Sequence, residues 1–217
     1  MITGFILVDE TEKSYLMLAF YDDSFTEGHK KLTDIAHAHN TNIILQLVYV
    51  GLNVMNDPTE VAVLAPSAIE NLNTQVIPKE ISLKEIKNAQ SKFAEAALRA
   101  KDAGCETLKY MRHMAFLSQF MMPYYNRGND LYGGSASNKA RMILETYEKI
   151  RKSVGKDYPI WIKINVTYSI TDGVSFSMSY IYVMDCQILH ISTNSMPCKI
   201  QKFARFFGVF FCLLSVF

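Results

Sequence analysis

No two of the four cysteines, Cys105, Cys186, Cys198 and Cys212, stand at CxxC spacing, and four in 217 residues is far below the density of a disulfide scaffold. A disulfide framework and iron–sulfur chemistry are therefore not expected, and reduced thiols in an intracellular protein are. Blocks of like charge are missing too, and a net charge of +1 gives no reason to expect nucleic acid or an acidic surface as partner. The apolar run 206–217 has 12 residues, where a bilayer-spanning helix needs about 20. At the other end, the apolar residues from Met1 to Val8 have no basic region before them and meet Asp9 and Glu10 too early for a secretory leader. These absences together predict a cytoplasmic protein.

What is present suits one soluble globular domain with a sizeable core: 49% of the residues are hydrophobic and 20% charged. Met1 to Val8 reads as a buried strand closed by charged residues. Leu32, Ile35, Ala36 and Ala38 then give the apolar side of a helix running to about Asn40. His37 and His39, two apart, face different directions on such a helix and make a poor metal pair, so no metal site is expected. Asn42 to Val50 is a continuous apolar run of the kind found in parallel strands covered on both faces, interrupted by Gln46. Tyr158 to Val166 is a second such run, interrupted by Lys163. A buried amide needs only a partner. A lysine is costly in such a run unless it is paired or faces a site.

Between these runs, Pro58, Pro66 and Pro78 forbid long regular elements from Leu52 to Ile81. Ser82 and Glu85 make a capping box ahead of a helix with Ile86, Ala89, Phe93, Ala96, Ala97 and Ala100 on one face, ended at Gly104. The stretch from Gln119 to Arg151 is an irregular loop punctuated by Pro123, Asn126, Gly128, Asn129, Asp130, Gly133 and Gly134. A helix follows, with Ser135 or Ser137 as N-cap and Ala140, Ile143, Leu144, Tyr147 and Ile150 at helical spacing. Ordered loops of this length belong where they line a site or close the end of a barrel.

This stretch resembles the old yellow enzyme family of flavin oxidoreductases, in the branch of the NADH oxidases and enoate reductases. The family pattern QF, two residues, then PxxNxRxDxYGGSxxNRxR is met by Gln119, Phe120, Pro123, Asn126, Asp130, Tyr132, Gly133, Gly134, Ser135, Asn138 and Arg141. Gly128 and Lys139 stand where the pattern has arginines. The run from Ala65 to Ile69, APSAI, also resembles the family, and so does ITGF at Ile2 to Phe5, which matches the family's second strand.

The resemblance implies an α/β protein built as a partial (β/α)8 TIM barrel lacking the first strand and the C-terminal strands. A complete barrel needs about 250 residues. It implies FMN as cofactor and NADH or NADPH as reductant, with hydride passing through the flavin to an acceptor such as an activated alkene. Gln46 would meet the pyrimidine edge of the flavin, and Lys163 would lie by the flavin N1 and C2 carbonyl. In the family's next strand two histidines bind the substrate carbonyl and a tyrosine supplies a proton. Here the run from Ala103 to Leu117 is one residue shorter, and alignment on Ser118, Gln119 and Phe120 puts His113 on the second histidine, Tyr110 on the first and Ala115 on the tyrosine. Alanine donates no proton, and loss of a positioned acid costs about 10²–10⁴-fold in rate.

The resemblance fades after Gly173. We expect residues 1–174 to form the partial flavin barrel and 175–217 to be a divergent segment outside the fold, as a frameshifted or truncated reading frame would produce. Two functions stay open: an FMN-dependent oxidoreductase acting on a small molecule, and a non-catalytic partial barrel, either a pseudoenzyme or a gene remnant, that self-associates through open strand edges.

Overall fold

In the computed structural model the described residues are 1–12, 17–54, 62–111, 116–165 and 209–214. Eight strands occur among them: β1 (Ile2–Leu7), β2 (Leu18–Ala19), β3 (Ile44–Val48), β4 (Leu64–Ala65), β5 (Lys79–Glu80), β6 (Thr107–Met111), β7 (Ile160–Asn165) and β8 (Val209–Leu214). The helices are α1 (Thr26–Ala38), α2 (Leu83–Asp102), α3 (Phe116–Met121) and α4 (Ala136–Val154). One sheet runs in the order β2-β1-β3-β6-β7-β8, parallel throughout except for its last pair, and β4 and β5 form a small parallel pair of their own. Parallel strands in sequence with helices returning between them are part of a (β/α)8 barrel.

The alternation of a strand separates its faces. Ile6 and Val8, Leu45 and Leu47, Leu108, and Ile160 and Ile162 share one core with Ile86, Phe93, Ala96 and Ala100 of α2 and with Ala140, Ile143 and Ile150 of α4. Leu7, Val48 and Val50 belong to a separate cluster on the opposite face, with Met17, Tyr21 and Val54 against it. Gln46, between Leu45 and Leu47, belongs to the face away from the helices.

The capping box forms as its spacing predicts. Ser82 Oγ accepts from Glu85 N at 3.3 Å while Ser82 N donates to Glu85 Oε2 at 2.8 Å. The Ser82 hydroxyl is also the chief cause holding the Glu85 carboxyl down at about 2. Ser82→Ala should cost about 1 kcal/mol, read as a lower urea midpoint at unchanged slope. Ser135 likewise caps α4, accepting from Asn138 N at 3.2 Å.

The structure departs from the sequence expectation at the start of β1, where Ile2 and Phe5, expected inside a buried strand, are 47% and 39% exposed, and on α1. Ile35, expected on the apolar side of α1, is 62% exposed, and the buried stripe is His29, Thr33 and Ala36. Polar contacts fix that face: His29 Nε2 lies 2.9 Å from Ala19 O, and Thr33 Oγ1 donates to Ala103 O at 2.5 Å. Residues 209–214 join the sheet, pairing antiparallel with β7 from Ile160↔Leu214 to Asn165↔Val209. An apolar run of high strand propensity satisfies its backbone by adding to a strand edge. Among the described residues no helix is long and apolar enough to cross a membrane.

Candidate functional site

In a (β/α)8 barrel the carboxyl ends of the strands carry the chemistry, and here they are held together by buried polar contacts. At the end of β3, Val50 has φ −78° and ψ −42°, and Gly51 follows with φ +62°. Successive right- and left-handed residues aim their amides at one point and form an anion-binding concavity. Glu12, 5% exposed, fills it: Val50 N and Gly51 N donate to its two carboxyl oxygens, each at 2.5 Å. Burial outweighs both donors and pushes the Glu12 carboxyl up to about 8. Asp9 adds to the rise and Lys92, paired with Asp9 at 2.9 Å, opposes it. Gly51 is required at this corner, because a Cβ there would stand 2.8 Å from Gln119 Oε1.

The long motif builds the loop from α3 to α4. Asn126, 4% exposed, donates from one amide nitrogen to Phe120 O and Tyr132 O, both at 2.7 Å. Asp130 Oδ1 accepts from Tyr132 N, and Asn138 Nδ2 donates to Asp130 O. Arg141 Nε donates to Leu131 O. Tyr132 Oη donates to Glu145 Oε2 at 2.6 Å, which also accepts from Lys87 and Gln90 of α2. Arg127 N donates to Ser67 Oγ, stitching this loop to the run 65–69. The residues that make the sequence recognisable are therefore bonded mainly to one another and to backbone, which is the chemistry of a scaffold.

Gln46 is 7% exposed, and its backbone N–H donates to Thr3 Oγ1 at 3.2 Å where β1 shifts register between Ile2 and Phe5. None of the described residues makes a hydrogen bond to its side-chain amide. In the sheet Gln46 pairs with Phe5 and Lys109, and Lys109 pairs with Trp161. Lys163 lies two residues further along β7, paired with Met111 and Phe211. In register Tyr110 pairs with Leu47 and Ile162. The side chains of Lys109, Tyr110 and Lys163, and the whole of His113, lie outside what the structure describes.

Sequence reasoning missed Glu12, whose amide partners are 38 and 39 residues away. It gave Lys109 no role, although its strand position was legible. Among the described residues no group of three or more His, Cys, Asp or Glu could hold a metal ion. An amide on the face away from the helices, with no hydrogen bond to it among the described residues, suits a polar heterocycle that both accepts and donates.

The profile of the NADH:flavin oxidoreductase / NADH oxidase family matches residues 1–196, past the boundary at 174 that the sequence suggested. A metal reductase of Desulforamulus reducens is 32% identical over 165 residues, covering 76% of this chain and 25% of the relative. An NADH oxidase of Thermoanaerobacter brockii is 30% identical over 181 residues, covering 78% of this chain and 28% of the relative. The chain thus spans about a quarter of the length of these two relatives. Among solved structures, a histamine dehydrogenase from Rhizobium sp. 4-9 superposes with a TM-score of 0.77 at 26% identity, over 84% of this chain and 28% of that one. A 2-naphthoyl-CoA reductase superposes with a TM-score of 0.80 at 22% identity, over 86% of this chain and 30% of that one, and shows the fold alone.

Proposed function

Because the chain belongs to the NADH:flavin oxidoreductase / NADH oxidase family, we propose that it forms the flavin-facing part of an FMN-dependent oxidoreductase of the old yellow enzyme type. The observation that carries the proposal is Gln46: a nearly buried amide, on the face away from the helices, with no partner among the described residues. Such an amide can donate and accept at once, as the pyrimidine edge of a flavin requires. Bound FMN would supply two-electron chemistry, taking hydride from NADH or NADPH and giving it to an acceptor such as an activated alkene.

The chain's own residues would then have distinct tasks. Gln46 holds and orients the ring through paired donor and acceptor contacts. Lys163, on the same alternation of β7 as Trp161, supplies positive charge where negative charge develops. His113 donates a hydrogen bond to the acceptor's carbonyl. Tyr110, which the alignment puts on the family's first histidine, donates a second hydrogen bond to that carbonyl. With Ala115 at the family's tyrosine position, the proton comes from water. The same reading places the protein in the cytoplasm with a small-molecule substrate.

The test is the visible absorbance of the purified chain after FMN is added and the excess removed. Retained flavin that bleaches anaerobically with NADH or NADPH is the expected result. Gln46→Ala and Lys163→Met should each weaken FMN binding roughly 10- to 100-fold, the loss of one hydrogen bond to a charged or strongly polar partner. A soluble, colourless protein would sink the cofactor assignment.

One set of observations favours the second reading, a non-catalytic partial barrel that self-associates. Ile2, Phe5 and Leu18, on neighbouring strands β1 and β2, are 47%, 39% and 47% exposed. Sedimentation of the flavin-free chain separates the two: a stable dimer without flavin retention supports self-association over catalysis.

A further inference from the structure

We infer that β8 is a built-in edge strand, a piece of this chain that closes the long edge of β7 and keeps a second copy from pairing there. The argument rests on backbone pairing and needs no flavin. In a (β/α)8 barrel every strand has parallel neighbours, and β2, β1, β3, β6 and β7 follow that rule. β8 breaks it. It runs antiparallel to β7, so it is an addition to the barrel order rather than its next member, and its register covers β7 from Ile160↔Leu214 to Asn165↔Val209. The two edges of the sheet are thus treated differently. On one side the outermost described strand is β2, only Leu18–Ala19, and a very short edge strand templates little. On the other, without β8, Ile160–Asn165 would present a row of unpaired N–H and C=O groups to any apolar strand. The occupant carries the matching hazard: VFFCLL, Val209–Leu214, has no charge and no proline, the composition that pairs between chains when left exposed. Pairing the two within one chain removes both hazards. The competing occupant is β8 of a second copy, because exchange of an identical element uses the same contacts.

Residue-resolved amide hydrogen exchange on the full chain, with sedimentation alongside, is the test. Alternate N–H groups of a strand face opposite neighbours, so half of the β7 amides are bonded towards β6 and half towards β8. Slow exchange at both halves in the wild type, unchanged on dilution, is expected. Phe210→Pro and Phe211→Pro then remove adjacent amides, one aimed at β7 and one away from it, and proline in an edge strand is tolerated only on the outward side. One of the two variants should speed exchange of every second β7 amide roughly 10-fold or more and sediment as larger species than the wild type. The other should match the wild type in both readouts. Amides of α2 and α4 report that each variant is folded. If neither variant folds, the wild type decides: slow exchange of the β8-facing amides supports the inference and fast exchange overturns it. Equal effects of the two prolines overturn it, as does release of β8 with no change in sedimentation. Protection of β7 that disappears on dilution would mean that the strand comes from a second copy, which overturns it too.

Discussion

Gly133→Ala should destabilise the protein by about 3 kcal/mol or more, beyond the usual cost of overpacking a core by one methyl. The Cβ would lie 2.1 Å from Gly128 O, 2.4 Å from its carbonyl carbon and 2.9 Å from its Cα. These are backbone atoms, which cannot rotate away as a side chain can. Nor is the loop free to open. Gly134 N donates to Gly128 O at 2.7 Å, Gly128 N to Asn126 Oδ1 at 3.2 Å, and Asn126 is itself anchored on Phe120 and Tyr132. Gly134→Ala is the control. It strains a left-handed residue with φ +69° but meets nothing nearer than 3.7 Å, so about 1–2 kcal/mol is expected. Urea unfolding of both variants decides the matter, and equal losses would mean that the Gly128–Gly133 approach is not what the motif preserves.

The second large effect is a dependence of stability on pH centred on Glu12. Its carboxyl moves from an ordinary 4.5 up to about 8 in the folded protein, chiefly through burial. Between those values the folded chain keeps a proton that the unfolded chain has released, so folding stability falls as pH rises from about 4.5 to about 8 and levels off above. The groups facing Glu12 are the Val50 and Gly51 amides of the β3 corner, the Asp9 carboxylate after β1, and Lys92 of α2. The full span is on the order of 3–5 kcal/mol. Glu12→Gln mimics the protonated acid and should flatten the curve over that range. Thermal unfolding at pH 5, 6.5 and 8 reads this directly, and a wild-type midpoint that rises across the series would reverse the assignment.

The parts of the fold that were legible share one property: their signal is local. β3 and β7 were visible as unbroken apolar runs, and Gln46 and Lys163 stood out as exceptions within them. The Ser82–Glu85 box and the Ser135 cap are hydrogen bonds over three residues, so spacing alone specifies them. What failed needed knowledge of neighbours. The α1 stripe was misplaced because hydropathy favours Ile35, while the helix is seated by His29 and Thr33 reaching the carbonyls of Ala19 and Ala103. Nothing local in residues 209–214 announces the antiparallel pairing of their backbone with β7.

The sequence by itself determined the ancestry, the strands β1, β3, β6 and β7 with helices α1, α2 and α4 between them, and the two polar interruptions Gln46 and Lys163. Local hydrogen bonding and the alternation of apolar residues require nothing distant. Only the tertiary structure decided that the recognisable loop is a scaffold bonded to itself, that Gln46, Lys109 and Trp161 form one row, and that Glu12 fills the amide concavity at the end of β3. Each of these depends on strand register or on contacts between residues far apart in the chain. A parallel sheet sets its register through helices packed on one face, and no single strand carries that information.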